Sequence, residues 1–152
     1  MLTLNFKKQF APAVEAGEKR QTIRAHRKDG KRPQPGDHLR LYTGLRTKGC
    51  RRLMDATCTD VSSVHIFDDV SDIAIVIAGR RLTRDEGREL AKADGFETRA
   101  EFLGFFHETH GLPFDGLMIE WEPKPSNVEF RGATPNGGAS PGTQGYASED
   151  EK

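Results

Sequence analysis

The stretch Gly17-Glu18-Lys19-Arg20-Gln21-Thr22-Ile23-Arg24 decides how the rest of this chain is read. Ahead of it, Lys8 to Ala16 carries Phe10, Ala13 and Val14 at helical spacing, and Gly17 is a natural helix stop. From Gln21 to Ala25 the pattern is that of a strand. Alternation then sends Thr22 and Arg24 to one face and Gln21 and Ile23 to the other. A hydroxyl and a guanidinium thus share a face, and Lys19, in the turn feeding the strand, has the reach to join them. Such a trio can hold a phosphate or a carbonyl-bearing ligand. Charged residues beside a turn are more often solvated surface, and Thr and Ile are ordinary strand formers, so these eight residues alone do not make a site.

Working outward, Met1 to Phe6 alternates Leu2, Leu4 and Phe6 with polar residues, as a half-buried strand does. On the other side, His26 to Pro35 is a basic, exposed loop. Pro35-Gly36-Asp37 signals a turn into a strand over His38 to Tyr42, with Leu39 and Leu41 inward and His38, Arg40 and Tyr42 on the opposite face. Thr43 to Gly49 reads as a glycine-bounded loop rich in donors, a natural position for binding groups. Leu53 to Thr59 predicts a strand with Met54, Ala56 and Cys58 on one face, and the apolar pattern resumes at Val61, Val64 and Ile66.

Asp72 to Ala78 is nearly all apolar and predicts a central strand covered on both sides. Thr83 with Glu86 forms a capping-box signature for a helix that Asp94-Gly95 closes. Thr98 to His107 repeats the form, with Phe102, Phe105 and Phe106 as a stripe that at this spacing belongs to the core. Gly116 to Trp121 predicts a last strand with Leu117, Ile119 and Trp121 on one face. Strands outnumber helices and run on without helical crossovers, so the expected class is α+β on a small mixed or barrel-like sheet.

The chain has 152 residues, 35% of them hydrophobic, and a mean hydropathy of -0.66. These values suit one soluble domain over residues 1–122. Residues 123–152, rich in Pro, Gly and Ser and ending in Glu149-Asp150-Glu151-Lys152, are expected to be a disordered tail on which only Val128, Phe130 and Tyr146 offer apolar contacts. No apolar run reaches the roughly 18 residues of a membrane span, and the N-terminus does not resemble a signal peptide. The expectation is a cytoplasmic protein without membrane contact. Cys50 and Cys58 have no partners at metal-ligand spacing, so reduced thiols are expected, with Cys58 in a strand core and neither metal nor cofactor implied.

Net charge is zero, yet Gly17 to Arg52 holds twelve Lys and Arg against three Asp and Glu, a local +9. A basic face on a neutral chain points to an anionic partner; interspersed charge that merely solubilises the surface is the plainer account.

Taken together, the G-x-K-x-x-T-I-R pattern at Gly17, Lys19, Thr22, Ile23 and Arg24, the Pro35-Gly36-Asp37-x-Leu39-x-Leu41-Tyr42 turn and strand, and the Thr43-Gly44-x-Arg46-Thr47-Lys48 loop resemble an ASCH domain of the PUA-like superfamily. Ala93-Asp94-Gly95-Phe96 with Glu101-Phe102 and Phe105-Phe106 is similar to that family's helical insertion. The resemblance implies a small mixed β-barrel with flanking helices and RNA or a modified nucleoside as partner. From members that act as N4-acetylcytidine amidohydrolases it implies Lys19, Thr22 and Asp94 as catalytic residues, Asp94 standing where glutamate is found. From members with ribonuclease activity it implies Tyr42 and Lys48, without a counterpart for the serine of that set. Arg20, Arg24, Arg40 and Arg46 are the expected substrate-binding cations, and Lys19, Thr22 and Arg24 are expected to face the same cleft as Tyr42 and Lys48. The expected function is a metal-independent hydrolase acting on RNA or an N4-acylated cytidine. The alternatives are a non-catalytic RNA-binding module and a protein-interaction domain using its acidic tail.

Overall fold

The computed structural model describes residues 2–124. Its spine is β4, Arg51–Asp69, a strand of 19 residues. The first part of β4 pairs antiparallel with β3, His38–Thr43, and the last part with β5, Asp72–Ile77. Strand β7, Phe114–Pro123, runs beside β4 from Ala56↔Pro123 to Ile66↔Phe114. The first strand, β1, Leu2–Phe6, lies parallel to β3, and β2, Gln21–Ala25, lies antiparallel to β7. A two-residue β6, Arg80–Arg81, borders β5.

One strand can serve two layers because its ladder slips twice. Register shifts fall opposite Leu41/Tyr42 and between Cys58 and Asp60. Each extra residue reverses which side chains face inward. Before the second slip the buried residues are Leu53, Ala56 and Cys58; after it they are Val64 and Ile66. Cys58 pairs with Trp121, whose ring meets Phe6 edge-on at 5.7 Å in the interior shared with β1 and β3. Val64 and Ile66 pair with Gly116 and Phe114, and Phe114 packs at 4.9 Å on Phe106 of α3, Arg99–His110. Strand β7 is consequently buried on both faces through its middle.

The other helices are α1, Ala11–Glu15, and α2, Arg84–Ala93. Helix α1 is shorter than the expected Lys8 to Ala16, since Pro12 occupies its first turn, where a missing N–H costs nothing. Gly17, at φ +79°, ends it: Glu18 N and Lys19 N both donate to Ala13 O. Helix α2 carries the expected capping box, Thr83 accepting from Glu86 N while Glu86 accepts from Thr83 N. Thr98 caps α3 by accepting from Glu101 N.

Several expectations need correction. The sheet is not a closed barrel: β1 pairs only with β3 and β2 only with β7, leaving a seam between two free edges. Closure depends on strand tilt and stagger, which hydrophobic alternation does not encode. Strand β5 is not central but next to the two-residue edge β6, joined through Ala78 and Gly79, both at positive φ. The break expected after Thr59 is a bulge within one strand, because a bulge and a loop interrupt alternation alike. Strand β7 runs past the expected boundary at Glu122, with Lys124 N donating to Asp55 O at 3.0 Å; the rest of the expected tail lies outside the described residues.

At Gly116 the β2 backbone comes so close that an added Cβ would strike Arg24 O and lie 2.7 Å from Phe114 Cζ. Gly116→Ala is expected to cost about 1–3 kcal/mol or more through forced displacement of β2, read as a lower urea midpoint.

Candidate functional site

The turn after α1 and the end of α2 meet around one buried contact. Lys19 Nζ lies 3.1 Å from Asp94 Oδ1, with side-chain exposures of only 3% and 6%. The same ammonium donates to the Asp94 backbone carbonyl, an end carbonyl of α2. Two kinds of stabilisation coincide there, an ion pair and a cation at the negative end of a helix. The Phe10 ring lies under the ammonium at 5.0 Å.

Burial is the dominant influence on both groups. It pulls Lys19 below the usual lysine range against the opposing pull of Asp94, and it pushes Asp94 up to about 6 against the opposing pull of Lys19. Each shift favours the neutral form, so burial brings the proton affinities of the two groups closer together.

From β2, Thr22 and Arg24 face the same space, as alternation predicts. Arg24 Nε donates to Thr22 Oγ1 at 3.1 Å, and Arg24 Nη2 crosses the open seam to donate to Asn5 O of β1 at 2.6 Å. Its guanidinium lies 4.8 Å from the Phe6 ring centre, and burial holds its pKa down at about 10. Lys19, Thr22, Arg24 and Asp94 line a cavity of about 210 Å³ with Phe10 and Phe105.

The remaining expected groups do not line it. Tyr42 stands on the face of β3 opposite the buried Leu41 and Thr43, paired in register with Asn5 and Arg52. Lys48 and Arg46 are exposed in the loop after β3. Arg40 is on the same outer face as Tyr42, and Arg20 bonds Gly17 O at 2.9 Å outside the cavity. The single cleft expected for Lys19, Thr22, Arg24, Tyr42 and Lys48 is therefore divided. Parity fixes the face of a strand residue, but the sequence does not say which end or side of the sheet a second strand's outer face adjoins.

Sequence reading missed Asn5, Lys7, Phe105 and His110 on the cavity wall. Phe105 was assigned wholly to the core stripe. It is only partly buried, because Phe102 and Phe106, four residues apart, occupy the inner line of α3 and leave Phe105 at its margin. Lys7 Nζ lies over that ring at 5.1 Å.

Compared with protein-family models, curated proteins and solved structures, the chain finds no match. Among the described residues no helix is long and apolar enough to cross a membrane, and no cluster of three or more His, Cys, Asp or Glu is placed to hold a metal ion.

A carboxylate whose pKa rises on folding from 3.8 to about 6 binds more protons folded than unfolded, so it withdraws stability as pH rises between those values. Wild type minus Asp94→Asn should therefore show stability falling by on the order of 2 kcal/mol from pH 4 to 6, measured by urea denaturation at each pH. A flat difference would mean that Asp94 is ionised throughout.

Proposed function

We propose that this chain is an ASCH-type domain of the PUA-like class that hydrolyses an N4-acylated cytidine, with Lys19, Thr22 and Asp94 as its catalytic set. The observation that carries the reading is the cavity that gathers these three with Arg24. The sequence resemblance assigned Lys19 and Thr22 from one segment and Asp94 from a distant one, and their convergence on one hollow is what that assignment requires.

Size favours a nucleoside over a strand of RNA. A volume of about 210 Å³ is below the roughly 300–1,000 Å³ of pockets for drug-sized ligands. It suits one base with a small acyl group. Phe10 and Phe105 add aromatic surface for the base beside the donors Lys19, Thr22 and Arg24.

In this reading neutral Lys19, favoured by burial, takes the Thr22 hydroxyl proton as Thr22 Oγ attacks the acyl carbon. Arg24, already bonded to Thr22 Oγ1, stabilises the oxyanion. The proton passes through the Lys19–Asp94 contact to the departing N4 amine as the carbon–nitrogen bond breaks. Water then attacks the Thr22 ester, releasing acetate and restoring the hydroxyl. An aspartate pushed up to about 6 exchanges protons readily near neutral pH.

A plainer role competes for the same contact: a buried Lys–Asp pair at a helix end also serves as a structural clamp. The second functional reading, RNA contact by exposed cations such as Arg46 and Lys48, draws on the basic surface and predicts affinity that falls steeply with salt. The cytosol is the proposed setting, in keeping with the free thiols of Cys50 and Cys58.

N4-acetylcytidine incubated with the protein should yield cytidine and acetate. Thr22→Ala should lower kcat about 100-fold or more while keeping the thermal midpoint within a few degrees, and Tyr42→Phe and Lys48→Ala should turn over normally. No product from wild type, or full activity in Thr22→Ala, would defeat the reading and leave the clamp.

A further inference from the structure

Arg24 stands between two hollows. Besides the Lys19 cavity it lines a second one of about 200 Å³ in the β1–β2 seam, together with Arg27 and Lys31 from the loop after β2. Leu117 and Ile119 of β7 form its apolar floor. Three cations and no carboxylate line this second hollow.

The charges there are unevenly satisfied. Asp29, just outside the lining, accepts from Arg27 Nε at 3.2 Å and Nη2 at 3.0 Å and from Lys31 N at 2.9 Å, so the Arg27 charge is already paired while the Lys31 ammonium has no carboxylate within ion-pair distance among the described residues. Arg24 bonds only neutral oxygens, those of Thr22 and Asn5, and among the described residues has no carboxylate within ion-pair distance. Asp94 acts on it only at longer range. A partly buried guanidinium without a counter-ion is costly and is commonly matched by a bound anion. The unpaired Arg24 guanidinium and the Lys31 ammonium at one concave place, with Arg27 beside them, suit a phosphate, whose oxygens accept several charge-assisted hydrogen bonds. The two seam edges add backbone groups outside any ladder.

We propose that Arg24, Arg27 and Lys31 form a phosphate subsite in the β1–β2 seam, so that the ligand of the adjoining cavity is a nucleoside monophosphate. This assignment deepens the nucleoside reading above and rests on it for the identity of the base. The base and acyl group occupy the Lys19 cavity, and the phosphate reaches past Arg24 into the seam. Two hollows of about 200 Å³ each match a mononucleotide divided between them. Arg24 then has two tasks, holding the oxyanion on one side and the phosphate on the other.

The test compares N4-acetylcytidine with its 5′-monophosphate in the full chain, using wild type and Arg27→Ala/Lys31→Ala, both positions being exposed. The wild type should favour the monophosphate about tenfold or more in kcat/KM, and the double variant should bring the ratio near one. Equal kcat/KM for both substrates in wild type, or a ratio unchanged in the variant, overturns the subsite. Calorimetric titration with CMP and cytidine separates this from the hydrolase reading. If neither acylated substrate reacts yet CMP binds about tenfold tighter than cytidine, and only in wild type, the subsite stands and the hydrolase falls. CMP binding no tighter than cytidine sinks the subsite whatever the activity. A short RNA carrying the same acetylated base, preferred over the mononucleotide, overturns the mononucleotide assignment.

Discussion

Two buried charges hold this domain's functional end together. Removing an ammonium and a carboxylate from water costs several kcal/mol each, and their mutual attraction offsets that only with good geometry and extra hydrogen bonds. Lys19 meets both conditions, with Asp94 Oδ1 at 3.1 Å and the carbonyl of the same residue as a second acceptor. The consequence is positional. The contact ties the turn leaving α1 to Asp94, the residue that caps the end of α2, 75 positions away in sequence. With Lys19 fixed, the chain enters β2 in one register, and Thr22 and Arg24 must face the cavity that Asp94 and Phe10 bound.

That cavity exists because the sheet does not close. A completed barrel would pair β1 with β2 and fill the seam with a backbone ladder. Here Arg24 spans the gap instead, its Nη2 on Asn5 O. The side chain does for one hydrogen bond what a strand would do for several, and the space saved becomes concave surface. Free edges invite pairing with other chains. In this domain the seam is flanked by Arg24, Arg27 and Lys31, and cations along an edge oppose such pairing while attracting anions.

Much of this was legible in the residues. The helix–turn–strand order of Gly17 to Arg24, the shared face of Thr22 and Arg24, both helix caps on Thr83 and Thr98, and the buried face of Leu117, Ile119 and Trp121 follow from local rules that each act within a few residues. The failures have one physical character: they concern what distant segments do to each other. A bulge at Cys58/Asp60 and a loop look alike until β7 is laid beside the strand. Whether β1 meets β2 depends on accumulated twist. Tyr42 was placed on the correct face of β3, but which cavity that face borders is a property of the assembled sheet. Asp94 is the opposite case. It stands where the resemblance has the longer glutamate, and its carboxylate nevertheless meets Lys19 Nζ at 3.1 Å.

In the proposed reading the same pair links stability to chemistry, because what makes it an awkward clamp would make it a usable proton carrier. A clamp optimised for stability would keep both groups charged, with Asp94 held below its ordinary range. Burial instead lifts Asp94 to about 6 and lowers Lys19, drawing the two affinities for a proton toward each other. Well-packed apolar residues in their place would avoid the desolvation cost entirely and often leave a protein more stable. Near Arg24, whose positive charge also depresses Lys19, a lysine is a poor choice for rigidity alone. The arrangement gives up stability where Thr22, Arg24 and an accessible hollow converge. Under the hydrolase reading proposed above, proton affinities shifted by burial beside a hollow are what a proton-transferring site would use.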